Sequence, residues 1–257
     1  MKEILTEILS DRKTDTIFTC LGIWHILYLI IILSIIITMI FVLKNKSEQT
    51  KNKAISIAII ISFSLYVLDF FLMPFAYSEI DIEKLPFHIC TVTCVLCFIS
   101  RYNKFLSKYQ TQFAILGLIG NLIYLLYPAG VGWYQVHPAS YRVIQTLLYH
   151  GCMTTYGLFV LTLSKPQLSL KQTYKELIII CILVIWALIG NTLYNSSERF
   201  YNWFFVVQDP FHLIPIEVSP YIMPFFMVGF VYVFVIIIYA IYNLIINTIK
   251  KYKKPSF

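Results

Sequence analysis

Seven apolar stretches, each close to the length of a membrane span, dominate this amino-acid sequence. Crossing about 30 Å of hydrocarbon takes about 20 residues of helix. Backbone groups in lipid must bond within their own segment, which excludes open strands. The sequence therefore predicts an all-α polytopic membrane protein with seven transmembrane helices. We place the spans at residues 20–43, 54–76, 85–101, 110–129, 140–164, 175–194 and 220–247.

The composition favours the same class of protein. The chain has 257 residues, of which 59% are hydrophobic and 13% are charged, whereas soluble domains carry about 25% charged residues. One soluble core cannot hide that apolar excess, so lipid must act as the solvent. The net charge of +7 lies in short clusters between apolar runs, which argues against nucleic acid as a partner.

The basic residues predict the orientation in the membrane. Fourteen of the 20 lysines and arginines lie in the loops 44–53, 101–109 and 165–175 and in the tail after residue 249. Cytoplasmic loops carry the excess of Lys and Arg. We therefore expect the N-terminus outside, the C-terminus in the cytoplasm and a multi-pass protein of the plasma membrane.

The predicted domain organisation has three parts. Residues 1–19 form an N-terminal interfacial segment, residues 20–249 form the seven-helix transmembrane domain, and residues 250–257 form a basic cytoplasmic tail. The longest outer connection, 195–219, is rich in aromatic residues, which water-exposed loops rarely are. We expect this outer aromatic loop to rest among the lipid headgroups or to fold over the bundle as a lid.

Polar side chains at membrane depth are the candidate functional residues, because burying them in lipid is costly. The predicted orientation places them in the outer half of the bundle, which predicts a polar cavity opening to the outer face. For each asparagine, a hydrogen bond between helices is the simpler interpretation. The residues are Asp69, His88, Cys90, Asn121, His150 and Asn191.

Three of the six cysteines, Cys90, Cys94 and Cys97, follow the pattern C-x3-C-x2-C. In a soluble enzyme this pattern would indicate an iron–sulfur loop. On a helix the three form a stripe about 10 Å long, which is too extended to converge on one cluster, so packing is the better interpretation. The last span lacks the lysine that retinal would need, and nucleotide, serine-hydrolase and zinc-protease motifs are absent. We expect no cofactor and no metal.

Three short motifs carry a family resemblance: Leu-Pro-Phe-His-Ile-Cys at 85–90, His150-Gly151, and Asn-Trp-Phe-Phe at 202–205 followed by Pro210. With them the chain resembles the YwaF-like bacterial integral membrane proteins, which are related to eukaryotic transmembrane protein 164. The resemblance covers roughly spans two to seven. It implies a seven-helix fold and, for the eukaryotic branch, a phospholipid acyltransferase that uses a cysteine and a histidine. On this chain those residues are Cys90 and His150.

The resulting hypothesis is a lipid acyltransferase or transacylase at the outer leaflet, with membrane lipids as partners. A histidine that takes the thiol proton would activate Cys90 for attack on a lipid ester. We expect a substrate-binding role for His88, Asp69, Asn121, Asn191 and Asn202. The alternatives are a small-solute or proton-coupled transporter lined by Asp69, His88 and His150, and a sensor or structural partner without catalysis. The residues define neither lipid class nor oligomeric state.

Overall fold

The computed structural model describes residues 6, 8, 9, 11, 15–77, 82–209 and 218–253. Within these ranges there are eight α-helices and no strands. Seven are long and follow the predicted apolar stretches in order, and the eighth is a single turn at Ala129–Gly132. The long helices are α1 Ile23–Leu43, α2 Glu48–Tyr77, α3 Ile89–Tyr102, α4 Gln110–Leu126, α5 Tyr141–Leu163, α6 Tyr174–Tyr194 and α7 Met223–Lys253.

Five of the helices, α1, α2, α4, α6 and α7, are long and apolar enough to cross a membrane. The prediction of an all-helical, multi-pass membrane protein is therefore confirmed. Helix α3 has only 14 residues, and α5 is more polar because most of its sides face other helices. The count of seven spans and the orientation of the termini stay predictions.

Local chemistry explains where several helices begin and end. Ser47 caps α2, since its hydroxyl accepts a hydrogen bond from the Thr50 N–H at 3.3 Å. Helix α4 ends at Leu126 because Tyr127, which precedes Pro128, adopts a non-helical backbone. The third predicted span, 85–101, begins earlier than its helix does: α3 begins at Ile89, and Pro86 lies before it.

The first of two compact units comprises residues 1–86 and 90–165. Helix α5 is central to this unit and packs against α4, α2 and α1. Gly157 allows α5 to approach α4 closely, since a Cβ there would lie 2.7 Å from the Cβ of Leu118. Part of the N-terminal segment docks on this unit: Phe18 is buried, and its N–H donates to the Val136 carbonyl at 2.8 Å.

The second unit comprises residues 87–89 and 166–257. Helices α6 and α7 pack together, and the 3-10 turn Trp203–Phe205 packs on both. Phe87 stacks on Trp186 and lies against Trp203, with ring centroids 4.9 and 4.8 Å apart. Gly190 makes room for that ring, because a Cβ at residue 190 would lie 2.5 Å from the Cδ1 of Phe87.

Parts of three predicted segments lie outside the described residues. They are most of residues 1–14 of the interfacial segment, residues 210–217 of the outer aromatic loop, which include Pro210, and residues 254–257 of the basic tail. In the described part of the loop, Trp203 and Phe204 are buried whereas Phe200 is exposed. Those two aromatic side chains therefore pack within the protein.

Candidate functional site

His150 lies in the middle of α5 and is 6% exposed. Its Nδ1 is 2.7 Å from the side-chain oxygen of Asn121 on α4. The Tyr124 ring, one turn further along α4, stacks on the imidazole with centroids 4.0 Å apart and planes at 14°. The edge of Tyr149 packs against it at 5.0 Å. Two tyrosines and one amide thus fix the orientation of the imidazole ring.

The asparagine amide settles which nitrogen of the histidine carries the proton. The Asn121 amide nitrogen donates to the Gly117 carbonyl at 2.7 Å, and a backbone carbonyl can only accept. The other amide atom, which faces His150, must therefore be the oxygen. Since that oxygen accepts, Nδ1 of His150 carries a hydrogen, and whenever the ring is neutral the lone pair lies on Nε2.

Cys90 lies in the first turn of α3 and is half-buried. Its carbonyl oxygen accepts a hydrogen bond of 3.0 Å from the Tyr149 hydroxyl. Because Tyr149 immediately precedes His150 on α5, this bond joins the start of α3 to the turn that carries the histidine. Cys90, Asn121, Tyr149 and His150 all belong to the first unit.

Asp69 and Lys84 form a second polar group in the first unit. Asp69 on α2 is 4% exposed, and one carboxylate oxygen pairs with the ammonium of Lys84. The other oxygen is buried with no hydrogen-bond partner among the described residues. Tyr66, one turn earlier on α2, donates to the Lys84 carbonyl at 2.9 Å. Burial and the positive charge of Arg142 lower the pKa of Lys84 to about 7.

Arg142 lies in the first turn of α5 and makes a bidentate ion pair with Asp11, with Nε and an oxygen 3.0 Å apart. Its guanidinium also lies over the Tyr134 ring, 3.8 Å from the centroid. The ion pair ties this part of the N-terminal segment to α5.

The remaining predicted site residues, His88, Asn191 and Asn202, belong to the second unit. Nδ1 of His88 accepts the Phe204 N–H at 3.2 Å. The Asn191 side chain accepts from the Trp203 N–H at 2.9 Å and donates to the Trp203 carbonyl at 3.3 Å. The Asn202 side chain accepts from the Val207 N–H at 3.0 Å and donates to the Gln208 carbonyl at 2.7 Å. These side chains build the turn that follows α6.

That turn has an unusual backbone. Phe204 and Phe205 have φ angles of 59° and 54°, a region that non-glycine residues rarely adopt. Such conformations persist only where the surroundings determine them. The Phe204 N–H donates to His88 and the Trp203 N–H donates to Asn191, and these bonds supply the constraint. The same contacts account for the non-helical chain at residues 87 and 88 and the late start of α3.

Two of the three cysteines in the C-x3-C-x2-C pattern pack in the protein interior. Cys94 and Cys97 are fully buried on α3. The described ranges contain no group of three or more His, Cys, Asp or Glu side chains that could hold a metal ion.

Sequence reasoning missed three contributors to these polar groups. Tyr124 and Tyr149 flank His150. Tyr124 could have been found, since it lies three residues after Asn121 and residues three apart on a helix share a face. Tyr149 is adjacent to His150 in the chain, a spacing that gives no such signal. Glu176 was also missed. It is fully buried near the start of α6, and one of its oxygens accepts from the Tyr239 hydroxyl.

The helices, their apolar exposed faces and the buried polar groups define a multi-pass α-helical membrane protein. The chain belongs to the TMEM164 family, whose family model matches residues 20–242. This match confirms the resemblance to transmembrane protein 164. No curated protein and no solved structure matches the chain.

Proposed function

We propose that the protein is a membrane-embedded lipid acyltransferase or transacylase in which Cys90 is the nucleophile and His150 the general base. The observation that carries the proposal is the hydrogen bond from the Tyr149 hydroxyl to the Cys90 carbonyl. It joins the turn that bears the thiol to the turn that bears the histidine. The motifs at residues 85–90 and 150–151, on which the resemblance was recognised, imply a cysteine and a histidine at these same two positions.

The proposed reaction has two half-reactions. Nε2 of His150 takes the thiol proton, and the Cys90 sulfur attacks the carbonyl carbon of a lipid ester. The ester C–O bond breaks, a thioester forms, and His150 returns the proton to the leaving glycerol oxygen. The hydroxyl of an incoming lysolipid then attacks the thioester, gives its proton to the histidine, and the sulfur leaves as the restored thiol.

The surroundings favour a lipid as the substrate. The helices around His150 expose apolar side chains on their outer sides, Ile30 and Ile31 on α1 among them. Such faces are typical of contact with acyl chains. The distribution of Lys and Arg further supports a site that faces the outer leaflet of the plasma membrane, with membrane lipids as both donor and acceptor.

An acyl-enzyme test addresses the proposal directly. The full chain is purified into lipid vesicles, supplied with phospholipid labelled in its acyl chain, and analysed for label that hydroxylamine releases. We expect such label on the wild type and on Cys152→Ser, a half-buried cysteine of α5, and none on Cys90→Ser. Label that persists on Cys90→Ser, or that never forms on the wild type, excludes Cys90 as the nucleophile.

Solute or proton transport is the second candidate, and one observation favours it. Asp69 keeps a buried carboxylate oxygen without a hydrogen-bond partner among the described residues, and intramembrane carboxylates are common in proton relays. Proton flux into vesicles that disappears in Asp69→Asn and persists in Cys90→Ser would support transport and not acyl transfer.

A further inference from the structure

We infer that Asn121 is a positioning residue that sets the tautomer of His150 and so makes Nε2 its basic nitrogen. The inference rests on the proposed function for its role in catalysis, whereas the tautomer itself is a property of the resting protein. Asn121 is fully buried, and its two polar groups bond to Gly117 and to His150.

The other described histidines show the opposite arrangement. Of the five histidines, His25, His88, His137 and His150 lie in the described ranges. In the first three, Nδ1 accepts a backbone N–H, from Leu21 at 3.0 Å, Phe204 at 3.2 Å and Ala139 at 3.1 Å respectively. Their neutral rings therefore carry the hydrogen on Nε2. Only in His150, among these four, does Nδ1 face an acceptor.

His25 shows what a structural histidine looks like in this fold. It is fully buried, its Nδ1 accepts from the backbone, and its Nε2 lies 2.8 Å from the Leu125 carbonyl. Both nitrogens thus bond to the backbone, and neither is assigned to a proton transfer. His150 differs because its Nδ1 bonds to the side chain of Asn121, and the orientation of that amide is fixed by its bond to the Gly117 carbonyl.

The hydrogen bond to Asn121 also favours one of the two ring orientations of His150. A 180° rotation about the bond to the ring would exchange Nδ1 with a carbon and break the bond to Asn121. The Tyr124 stack and the Tyr149 edge contact confine the plane of the imidazole. The amide oxygen therefore determines the tautomer at a fixed ring position.

This arrangement has a chemical consequence for the thiol. With the hydrogen held on Nδ1, the lone pair of Nε2 can accept the proton of Cys90. The imidazolium that forms keeps its Nδ1–H bond to the amide oxygen, which stabilises the positive charge. Cysteine, histidine and asparagine act in this order in unrelated cysteine hydrolases, where the third residue orients the base.

The tautomer can be measured without any enzymatic turnover. Protein with ¹³C,¹⁵N-labelled histidine is reconstituted in lipid and examined by solid-state NMR, and His150→Gln identifies the His150 signals. We expect the Nδ1–H tautomer in the wild type and in Asn121→Asp, which keeps an acceptor oxygen. We expect Asn121→Leu to shift His150 to the Nε2–H form. The His25 signals serve as the internal control for folding.

The functional consequence is tested with the same variants. At metal sites, removing the outer group that orients a histidine ligand costs about 10–100-fold in metal affinity or activity. By analogy we expect the rate of label transfer to Cys90 to fall by about that factor in Asn121→Leu and to recover in Asn121→Asp. A merely structural asparagine would lower the yield of folded protein without changing the tautomer.

Two results would overturn the inference: an Nε2–H tautomer of His150 in the wild type, or an unchanged Nδ1–H tautomer in folded Asn121→Leu. If Asn121→Leu does not fold, the wild-type spectrum alone still decides the first point. A failure of the proposed function looks different. In that case Cys90 gains no label in any variant, while the tautomer and its dependence on Asn121 remain as inferred.

Discussion

The side-chain oxygen of Asn121 lies 2.7 Å from Nδ1 of His150, and both residues are almost completely buried. Helix α4 supplies this bond and, three residues later, the stacked ring of Tyr124. A small rotation of α4 against α5 would remove both contacts together. The glycine at 157 lets α5 approach α4 closely, so helix packing and the orientation of the imidazole depend on each other.

The bond between Tyr149 and Cys90 gives the first prediction. Tyr149→Phe removes the hydroxyl that donates to the Cys90 carbonyl and keeps the ring beside His150. Hydrogen bonds between helices in membranes are worth about 0.6 kcal/mol on average and at most about 2 kcal/mol. We expect a small decrease in the thermal unfolding midpoint in detergent, together with faster alkylation of Cys90 by a maleimide because the start of α3 is less constrained.

Tyr141→Phe, in the first turn of the same helix, is the matched control for this measurement. It should leave the alkylation rate of Cys90 at the wild-type value. An equal alkylation rate in Tyr149→Phe and the wild type would mean that the bond does not constrain the cysteine.

The sequence was sufficient to predict most of the helices because apolar runs of about 20 residues have one stable solution in lipid. It did not predict the start of α3. That boundary depends on Phe87 and His88, whose partners lie about 100 residues or more later, in α6 and the turn after it. Contacts this distant in the chain override local preferences and leave no periodic signal.

The candidate site shows the same limit. The positions of Asn121 and His150 along their predicted spans place both residues in the outer half of the bundle. These positions do not give the rotation of each helix about its own axis, and that rotation decides whether the two side chains meet. Lys84 illustrates a second limit. It lies between two predicted spans, and nothing in the local sequence indicates that it is the partner of Asp69.

The buried pair of Glu176 and Tyr239 gives the second prediction. One Glu176 oxygen accepts from the Tyr239 hydroxyl, and the other is buried with no hydrogen-bond partner among the described residues. Burying an unpaired charge costs several kcal/mol, so we expect Glu176→Gln to unfold at or above the wild-type temperature. Glu176→Ala should unfold at a lower temperature, because it removes the acceptor and leaves a cavity.

Thermal unfolding in detergent, followed by circular dichroism, compares the three chains. A large loss of stability in both Glu176→Gln and Glu176→Ala would contradict this expectation and would show that the carboxylate is ionised and that its charge stabilises the fold.

The turn at Trp203–Phe205 gives the third prediction. Its two positive φ angles each cost about 1–3 kcal/mol, and the Asn191 side chain binds both backbone groups of Trp203. We expect Asn191→Leu to raise the hydrogen–deuterium exchange rate of the Trp203 and Phe205 amides by at least tenfold. Thr192→Ala is the control, since this exposed neighbour bonds only within α6, to the Leu188 carbonyl. Equal exchange in both variants would show that the aromatic packing alone maintains the turn.

Lys84 gives the last prediction, which concerns pH. Burial and the charge of Arg142 lower its pKa from 10.5 to about 7. Between these two values the unfolded chain binds a proton that the folded chain does not, so the stability should rise as the pH increases from about 7 to 10.

Lys84→Met should flatten this rise, whereas the exposed Lys104→Met should keep it. Asp69→Asn should make the rise begin at a lower pH, because losing the carboxylate makes protonation of the buried lysine still less favourable, so this chain is also measured below pH 7. Thermal midpoints measured across this pH range in the four chains test the prediction, and equal slopes in the wild type and Lys84→Met would refute it.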